Sequence, residues 1–357
     1  MVKIGTASLV GPDGEPEETR VHTFVEGIAR LTAGGVEVIV VSSGAIAAGL
    51  GPLGLVERPT DIPSLQAAAA VGQGRLLGLY TRAFEARGMV AAQVLLTRYD
   101  FMHRHQYLNA RNTIDRLLTM GVVPVVNEND TVAVDEISFG DNDRLAALVA
   151  NLSRARLLVL LTNAGGLHER DPRADPGAPV IDEVQAITPE LERAAGGRGS
   201  DLSSGGMASK LSAAWVATFS GVGVVVADAR TDDALTRIAT GDRIGTFFHP
   251  RNQRGSARRL WIAFAQPPRG TVSVDDGARS ALIGDKRSLL AVGVTGVSGD
   301  FAAGDTVDVA GADGVVFARG LIRYAAQDLE SVRGRPTAEL AGREVIHRDQ
   351  LVVLRDE

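Results

Sequence analysis

The chain contains no cysteine in 357 residues, which removes disulfides, thiolate nucleophiles, iron–sulfur clusters and cysteine-ligated zinc. Histidine is scarce as well: six scattered residues leave little material for an all-histidine metal centre. No apolar run approaches the roughly 18 residues of a membrane span, and the opening Met1-Val2-Lys3-Ile4-Gly5 reads as a strand and not as a leader. A soluble, cytoplasmic chain without a membrane partner is expected. Strong charge of either sign is also missing, and a net charge of −6 argues against non-specific nucleic-acid binding by the chain as a whole. There is no GxSxG nucleophile elbow, no GxxxxGK[ST] phosphate loop and no repeat of fixed period.

What is present is an ordinary globular composition, 45% hydrophobic and 22% charged, which excludes disorder and fibres. The length exceeds what one hydrophobic core usually organises, so two domains are expected. Up to about Ala227, short β-branched and leucine runs alternate with longer helical patterns, the mark of parallel strands joined by crossover helices. The strand candidates are 2–4, 36–41, 90–96, 122–126, 157–161 and 222–226; the helical candidates are 21–33, 64–87, 108–120, 143–152 and 207–219. The expected architecture is an open, mostly parallel α/β sheet sandwiched by helices over residues 1–255. A proline- and polar-rich linker follows at 256–268, and a small β-rich domain of short alternating runs separated by glycine turns covers 269–357.

Polar and glycine-rich breaks fall at the strand ends, where an open α/β sheet places its ligands. Only Lys3, Lys210 and Lys286 are lysine, against 34 arginines, so a lysine in this chain carries information. In Ser204-Gly205-Gly206-Met207-Ala208-Ser209-Lys210, glycines ahead of a helix let backbone N–H groups converge on an anion, and the tilt of helical side chains returns the Lys210 ammonium over it. Lys3 lies inside an otherwise apolar strand, where a cation requires a compensating anion. Two lysines beside glycine turns point to a shared polyanion and to phosphoryl transfer. Ser43-Gly44, after the second strand, offers a close-approach loop for a carboxylate or phosphate. Asn127-Glu128-Asn129-Asp130 and Gly140-Asp141-Asn142-Asp143 exceed what helix capping needs. They suit the ammonium and carboxylate of a small zwitterion and the orientation of lysines or Mg²⁺. Gly72-Gln73-Gly74 interrupts a helical pattern and reads as tight helix packing, and His103 and His105 do not share a helical face.

This ordered set, Lys3-Ile4-Gly5-Thr6, Ser43 to Gly49, Asn127 to Asp130, Gly140 to Asp143 and Gly205-Gly206-Met207-x-x-Lys210, resembles the glutamate 5-kinase family of the amino acid kinase superfamily. The tail from Gly270 is similar to the PUA domain that many of its members carry. The resemblance implies ATP-dependent phosphorylation of the γ-carboxylate of L-glutamate to L-glutamyl 5-phosphate, the first step of proline biosynthesis, with feedback inhibition by L-proline. Lys3 and Lys210 match the two lysines at the transferring phosphoryl group, and Asp141 and Asp143 the acidic pair that organises them and Mg²⁺. Ser43, Asp130 and Asn142 match glutamate-binding positions, with Gly44 and Asn127 beside them. Thr162, Asn163 and the segment Ser204, Gly205, Gly206, Met207, Ala208, Ser209, Lys210 match nucleotide contacts, and Mg²⁺ is carried mainly by the ATP phosphates. The sequence departs from the family where Asn163 replaces the usual Asp, Ala7 a frequent Ser and His168 the usual Tyr. A homo-oligomer is expected. The alternatives are a kinase for N-acetylglutamate or aspartate, or an RNA-binding protein acting through its tail. The tail holds 11 basic and 14 acidic residues from Arg269 onward, the wrong sign for a phosphate-binding module.

Overall fold

The computed structural model describes residues 1–11, 14–133, 142–170, 172, 175, 177–188, 190–191, 206–251, 259, 261–265, 268–336, 339 and 343–355. They form two compact units, Met1–Arg254 and Gly255–Glu357.

The first unit carries β1 (Val2–Ile4), α1 (Thr6–Leu9), α2 (Glu18–Ala33), β2 (Val40–Ser42), α3 (Ala45–Leu50), α4 (Ile62–Glu85), β3 (Val90–Leu96), α5 (Arg98–Met102), α6 (Arg104–Thr119) and β4 (Val122–Glu128). It continues with α7 (Asn142–Leu152), β5 (Leu157–Thr162), β6 (Glu183–Val184), α8 (Met207–Phe219), β7 (Gly223–Asp228), α9 (Ala234–Thr240) and β8 (Thr246–Phe248). The strands join in the order β3-β4-β2-β1-β5-β7-β8-β6. Every pair is parallel except β7 with β8. Their apolar runs follow from this topology, because crossover helices cover both faces of a parallel sheet.

Side chains alternate across a strand, so each face has its own layer. Val2, Ile4, Val40, Val125, Val159, Leu161 and Val225 share one core with Val25 and Ile28 of α2, Tyr80 and Phe84 of α4, and Leu235 of α9. The alternate positions, Lys3, Leu158, Leu160, Val224 and Val226, are also buried, and they face the layer formed by α7 and α8. Lys3 thus points away from the core that its two neighbours join. β2 is shorter than the run 36–41 suggests. Gly35 takes a left-handed turn (φ 81°) and the Val36 N–H closes α2 on the Leu31 carbonyl. The paired register of β1 with β2 begins at Val2 and Val40, and the Ile39 carbonyl just before it accepts the Val2 N–H at 2.9 Å.

Helices α3 and α4 touch backbone to backbone. A Cβ on Gly72 would lie 1.8 Å from the Ala45 carbonyl oxygen, and one on Gly49 would lie 1.9 Å from that of Ala68. The packing role expected of Gly72-Gln73-Gly74 therefore belongs to Gly72; a Cβ on Gly74 meets nothing within 4 Å.

The second unit holds β9 (Gly270–Val274), α10 (Asp276–Ile283), β10 (Val294–Gly299), β11 (Thr306–Ala310), β12 (Val316–Leu321), α11 (Ala326–Val332) and β13 (Leu351–Val353). The sheet order is β10-β9-β11-β12-β13, with β9 and β11 parallel and the other pairs antiparallel. Val272, Val274, Val307, Val309, Phe317 and Ile346 lie in its core. Within the stretch 256–268, Ile262, Ala263 and Phe264 are buried. The Ala263 carbonyl accepts from Arg319, whose guanidinium also pairs with Asp308 at 2.7 Å. This part of the stretch packs as part of the unit, whereas 256–258, 260 and 266–267 lie outside the described residues. Among the described residues no helix is long and apolar enough to cross a membrane.

Candidate active site

The polar residues singled out in the sequence gather along the carboxyl ends of β2, β4, β1 and β5, the edge where open α/β sheets bind ligands. Its centre is one carboxylate held by two ammonium groups. Asp143, in the first turn of α7, forms an ion pair with Lys3, Nζ to Oδ1 at 2.5 Å, and accepts a hydrogen bond from Lys210 Nζ on Oδ2 at 3.1 Å. Ser209 Oγ also donates to Oδ2, at 3.2 Å. Exposure is 4% for Lys3, 5% for Lys210 and 0% for Asp143, so the three charges are compensated inside the protein and sum to +1. Each element contributes for a local reason. Alternation turns Lys3 toward α7 and α8, and Lys210 stands fourth in α8, where its side chain slants back toward the helix start at Met207. Gly206 precedes that helix in extended conformation, and as a glycine it has no side chain to cap it; a helix start of this kind suits an anion.

On the β2–β4 side, three carboxamides form a chain. Asn142 Nδ2 donates to the Ser42 carbonyl at 2.6 Å and to Asn127 Oδ1 at 2.7 Å. Asn127 Oδ1 also accepts the Glu128 N–H at 2.9 Å, and Asn127 Nδ2 donates to Gln73 Oε1 at 2.6 Å. Beside the chain, Ser43 is buried, and Gly44 opens α3 in the left-handed region at φ 109°, a conformation that disfavours any side chain. Ser42 Oγ lies 2.9 Å from the Tyr80 hydroxyl on α4. Asp130, in the turn after β4, is pushed up to about 6 by burial, which the Arg58 charge partly opposes. Glu128 is pushed up to about 7, by burial first and then by the Asp130 charge.

On the β5 side, Thr162 ends the strand with its carbonyl accepting the Ala229 N–H at 2.8 Å. Asn163 follows, and its Oδ1 accepts from Ser8 Oγ at 3.0 Å. Met207, Ala208 and Ser209 form the first turn of α8 with Lys210. The structure thus brings together Lys3, Ser43, Gly44, Asn127, Asp130, Asn142, Asp143, Thr162, Asn163 and Gly206 to Lys210 along one edge. Asp141, Ser204 and Gly205 lie outside the described residues. Sequence reasoning missed Gln73 as a polar partner; a clue was its place seven residues after Gln66 in an alanine-rich helix.

A cavity of about 560 Å³ lies under Ile4 and Leu161 and between α2 and α9, and Asn163 with its partner Ser8 lines it as well. Its arginines Arg20, Arg30 and Arg230 are paired with Glu17, with Glu26 and Asp233, and with Asp228. The two buried lysines that meet at Asp143 are the better match for a polyphosphate.

Residues 1–228 match the model of the Amino acid kinase family and residues 270–342 that of the PUA domain. The chain is 48% identical over 362 residues to a protein named Glutamate 5-kinase from Myxococcus xanthus (strain DK1622), covering 99% of this chain and 96% of that one. It is 46% identical over 361 residues to another of that name from Geobacter sp. (strain M21), covering 99% and 97%. Among solved structures, a UMP kinase from Bacillus anthracis superposes with a TM-score of 0.50 at 12% identity, over 70% of this chain and 94% of that one. At that identity the likeness concerns the fold alone.

Proposed function

The chain belongs to the amino acid kinase family, and from that premise we propose that it transfers the γ-phosphoryl group of ATP to the γ-carboxylate of L-glutamate, the entry step of proline biosynthesis. The observation that carries this reading is the pair of buried lysines sharing Asp143 at the centre of the strand-end edge. A carboxylate acceptor is ionised near neutral pH and needs no general base. The obstacle is bringing one anion in line with another, so catalysis rests on placed positive charge and positioning. Lys3 and Lys210 supply that charge, and Asp143 fixes both ammonium groups before substrate arrives, so no reorganisation is required as charge shifts in the transition state. The open N-terminus of α8 at Gly206 and Met207 adds backbone donors for the phosphates, and Thr162 and Asn163 bound the nucleotide on its far side.

The acceptor lies on the β2–β4 side. Asp130 meets the α-ammonium group of glutamate, Asn142 and Asn127 hold the amino acid head, and Ser43 and Gly44 admit the γ-carboxylate close to the lysines. Both oxygens of Asp143 are engaged by ammonium groups. On this reading Mg²⁺ would enter mainly on the ATP phosphates, where it would neutralise phosphate charge. On the same reading L-proline is an inhibitor that the assay should include.

The test is ATP-dependent turnover with glutamate, N-acetylglutamate and aspartate as acceptors, trapping the acyl phosphate with hydroxylamine. Glutamate should give a higher kcat/KM than N-acetylglutamate, because only a free ammonium group rewards a carboxylate at Asp130. Faster turnover of N-acetylglutamate would overturn the reading.

A further inference from the structure

We infer that Gln73 sets glutamate specificity, by fixing the carboxamide chain and by presenting its own N–H groups to the α-carboxylate of the substrate; this rests on the function proposed above. Two backbone groups that cannot exchange roles determine how the chain is oriented. The Ser42 carbonyl can only accept, so the amide facing it at 2.6 Å is Asn142 Nδ2. The Glu128 N–H can only donate, so the atom receiving it at 2.9 Å is Asn127 Oδ1. Asn142 Nδ2 also donates to that oxygen at 2.7 Å, which leaves Asn127 Nδ2 to face Gln73 at 2.6 Å. The facing atom of Gln73 must then be Oε1.

Each end of the chain keeps one unspent group. Among the described residues, Asn142 Oδ1 and Gln73 Nε2 make no hydrogen bond, and neither is a buried atom left without a partner. The first is an acceptor and the second a donor, the complement of an ammonium group and a carboxylate on one amino acid head. Asp130 adds the charge that pairs with the ammonium group, and the turn carrying it is tied to the same helix, since Gln66 Nε2 donates to the Ala133 carbonyl at 3.3 Å. Gln66 and Gln73 are seven residues apart on α4, about 10 Å along its axis, and they bracket Asp130 between their two attachments. The backbone contact of α3 with α4 at Gly72 fixes the register of that helix beside Ser43 and Gly44.

The experiment compares the full chain with Gln73→Glu and Gln73→Met, using L-glutamate and isoglutamine, its α-carboxamide, as acceptors. Gln73→Glu keeps an oxygen for Asn127 Nδ2 but replaces the free donor with an anion. It should raise the KM for glutamate roughly tenfold to a hundredfold, the range of one charge-assisted hydrogen bond. Isoglutamine, whose amide can donate to the new carboxylate, should be spared, so the glutamate-to-isoglutamine ratio of kcat/KM falls at least about tenfold. The KM for ATP should stay within about twofold of wild type. Gln73→Met, which loses both functions, should weaken both acceptors while its melting temperature stays near that of the parent. If wild type uses glutamate and Gln73→Glu leaves the ratio unchanged, the inference is wrong and the functional reading stands. If wild type does not use glutamate, both fall together.

Discussion

Replacing Asp143 by asparagine tests the central arrangement most directly. The carboxylate is fully buried and contacts Lys3 at 2.5 Å and Lys210 at 3.1 Å. At an effective dielectric of about 20, a unit-charge pair at the longer distance of 3.1 Å attracts by about 5 kcal/mol before desolvation is counted. Asparagine keeps the shape but presents one oxygen and one NH₂ group, so one ammonium would face a donor and both would lose the Asp143 charge. Removing one partner of a buried ion pair costs about 3–5 kcal/mol. For a unit of this size that lowers the melting temperature by roughly 10 °C. ATP should recover more stability in Asp143→Asn than in wild type, because its phosphates then replace the charge that the two lysines have lost. The same substitution should lower kcat by about 10²-fold or more, since the ammonium groups are no longer held where charge develops. Thermal denaturation with and without ATP, followed by steady-state kinetics, measures both effects. A variant that melts within about 1 kcal/mol of wild type, with the same response to ATP, would mean that the lysines are solvated and that Asp143 organises nothing.

Three further outcomes are expected. Lys210→Arg keeps the charge but puts a broad planar fork where a compact ammonium sits 3.1 Å from Asp143; kcat should fall about 10²-fold at nearly constant glutamate KM, and an unchanged kcat would make Lys210 peripheral. Burial raises the Asp130 carboxyl to about 6, so below that pH it turns neutral and the KM for glutamate should climb about tenfold per pH unit. Asp130→Asn should raise that KM throughout and flatten the climb. Because the folded chain holds this proton more tightly than the unfolded one, the carboxyl's contribution to stability changes in the opposite sense, improving as pH falls through about 6. Finally, Gly72→Ala and Gly74→Ala should act with opposite sign: the first forces α3 away from α4 and should cost about 3 kcal/mol or more, whereas the second adds a methyl in open space on a helix and should gain about 0.5–1 kcal/mol. Equal effects in denaturant melts would refute the close approach.

The alternation of apolar runs and helical patterns in the sequence was enough to determine the parallel sheet, because strands covered on both faces must be apolar and strands with crossover helices must alternate with them. It also pointed to the strand ends where the polar residues gather, since polar and glycine-rich breaks are disfavoured mid-strand, and the rarity of lysine singled out Lys3 and Lys210 before any geometry was known. The compact second unit was legible from its glycine turns and short alternating runs. Periodicity, however, reports which face of an element is buried and not which polar atom it meets on another element. Only the tertiary structure decided that Lys3 and Lys210 share one carboxylate, that Ile262 to Phe264 pack into the second unit, and that burial lifts Asp130 to about 6. Gln73 was hidden for the same reason: a glutamine on a helix reads as a solvated residue until the backbone groups at Ser42 and Glu128, brought beside it by the β2–β4 pairing and the α3–α4 contact, fix which way its amide must turn.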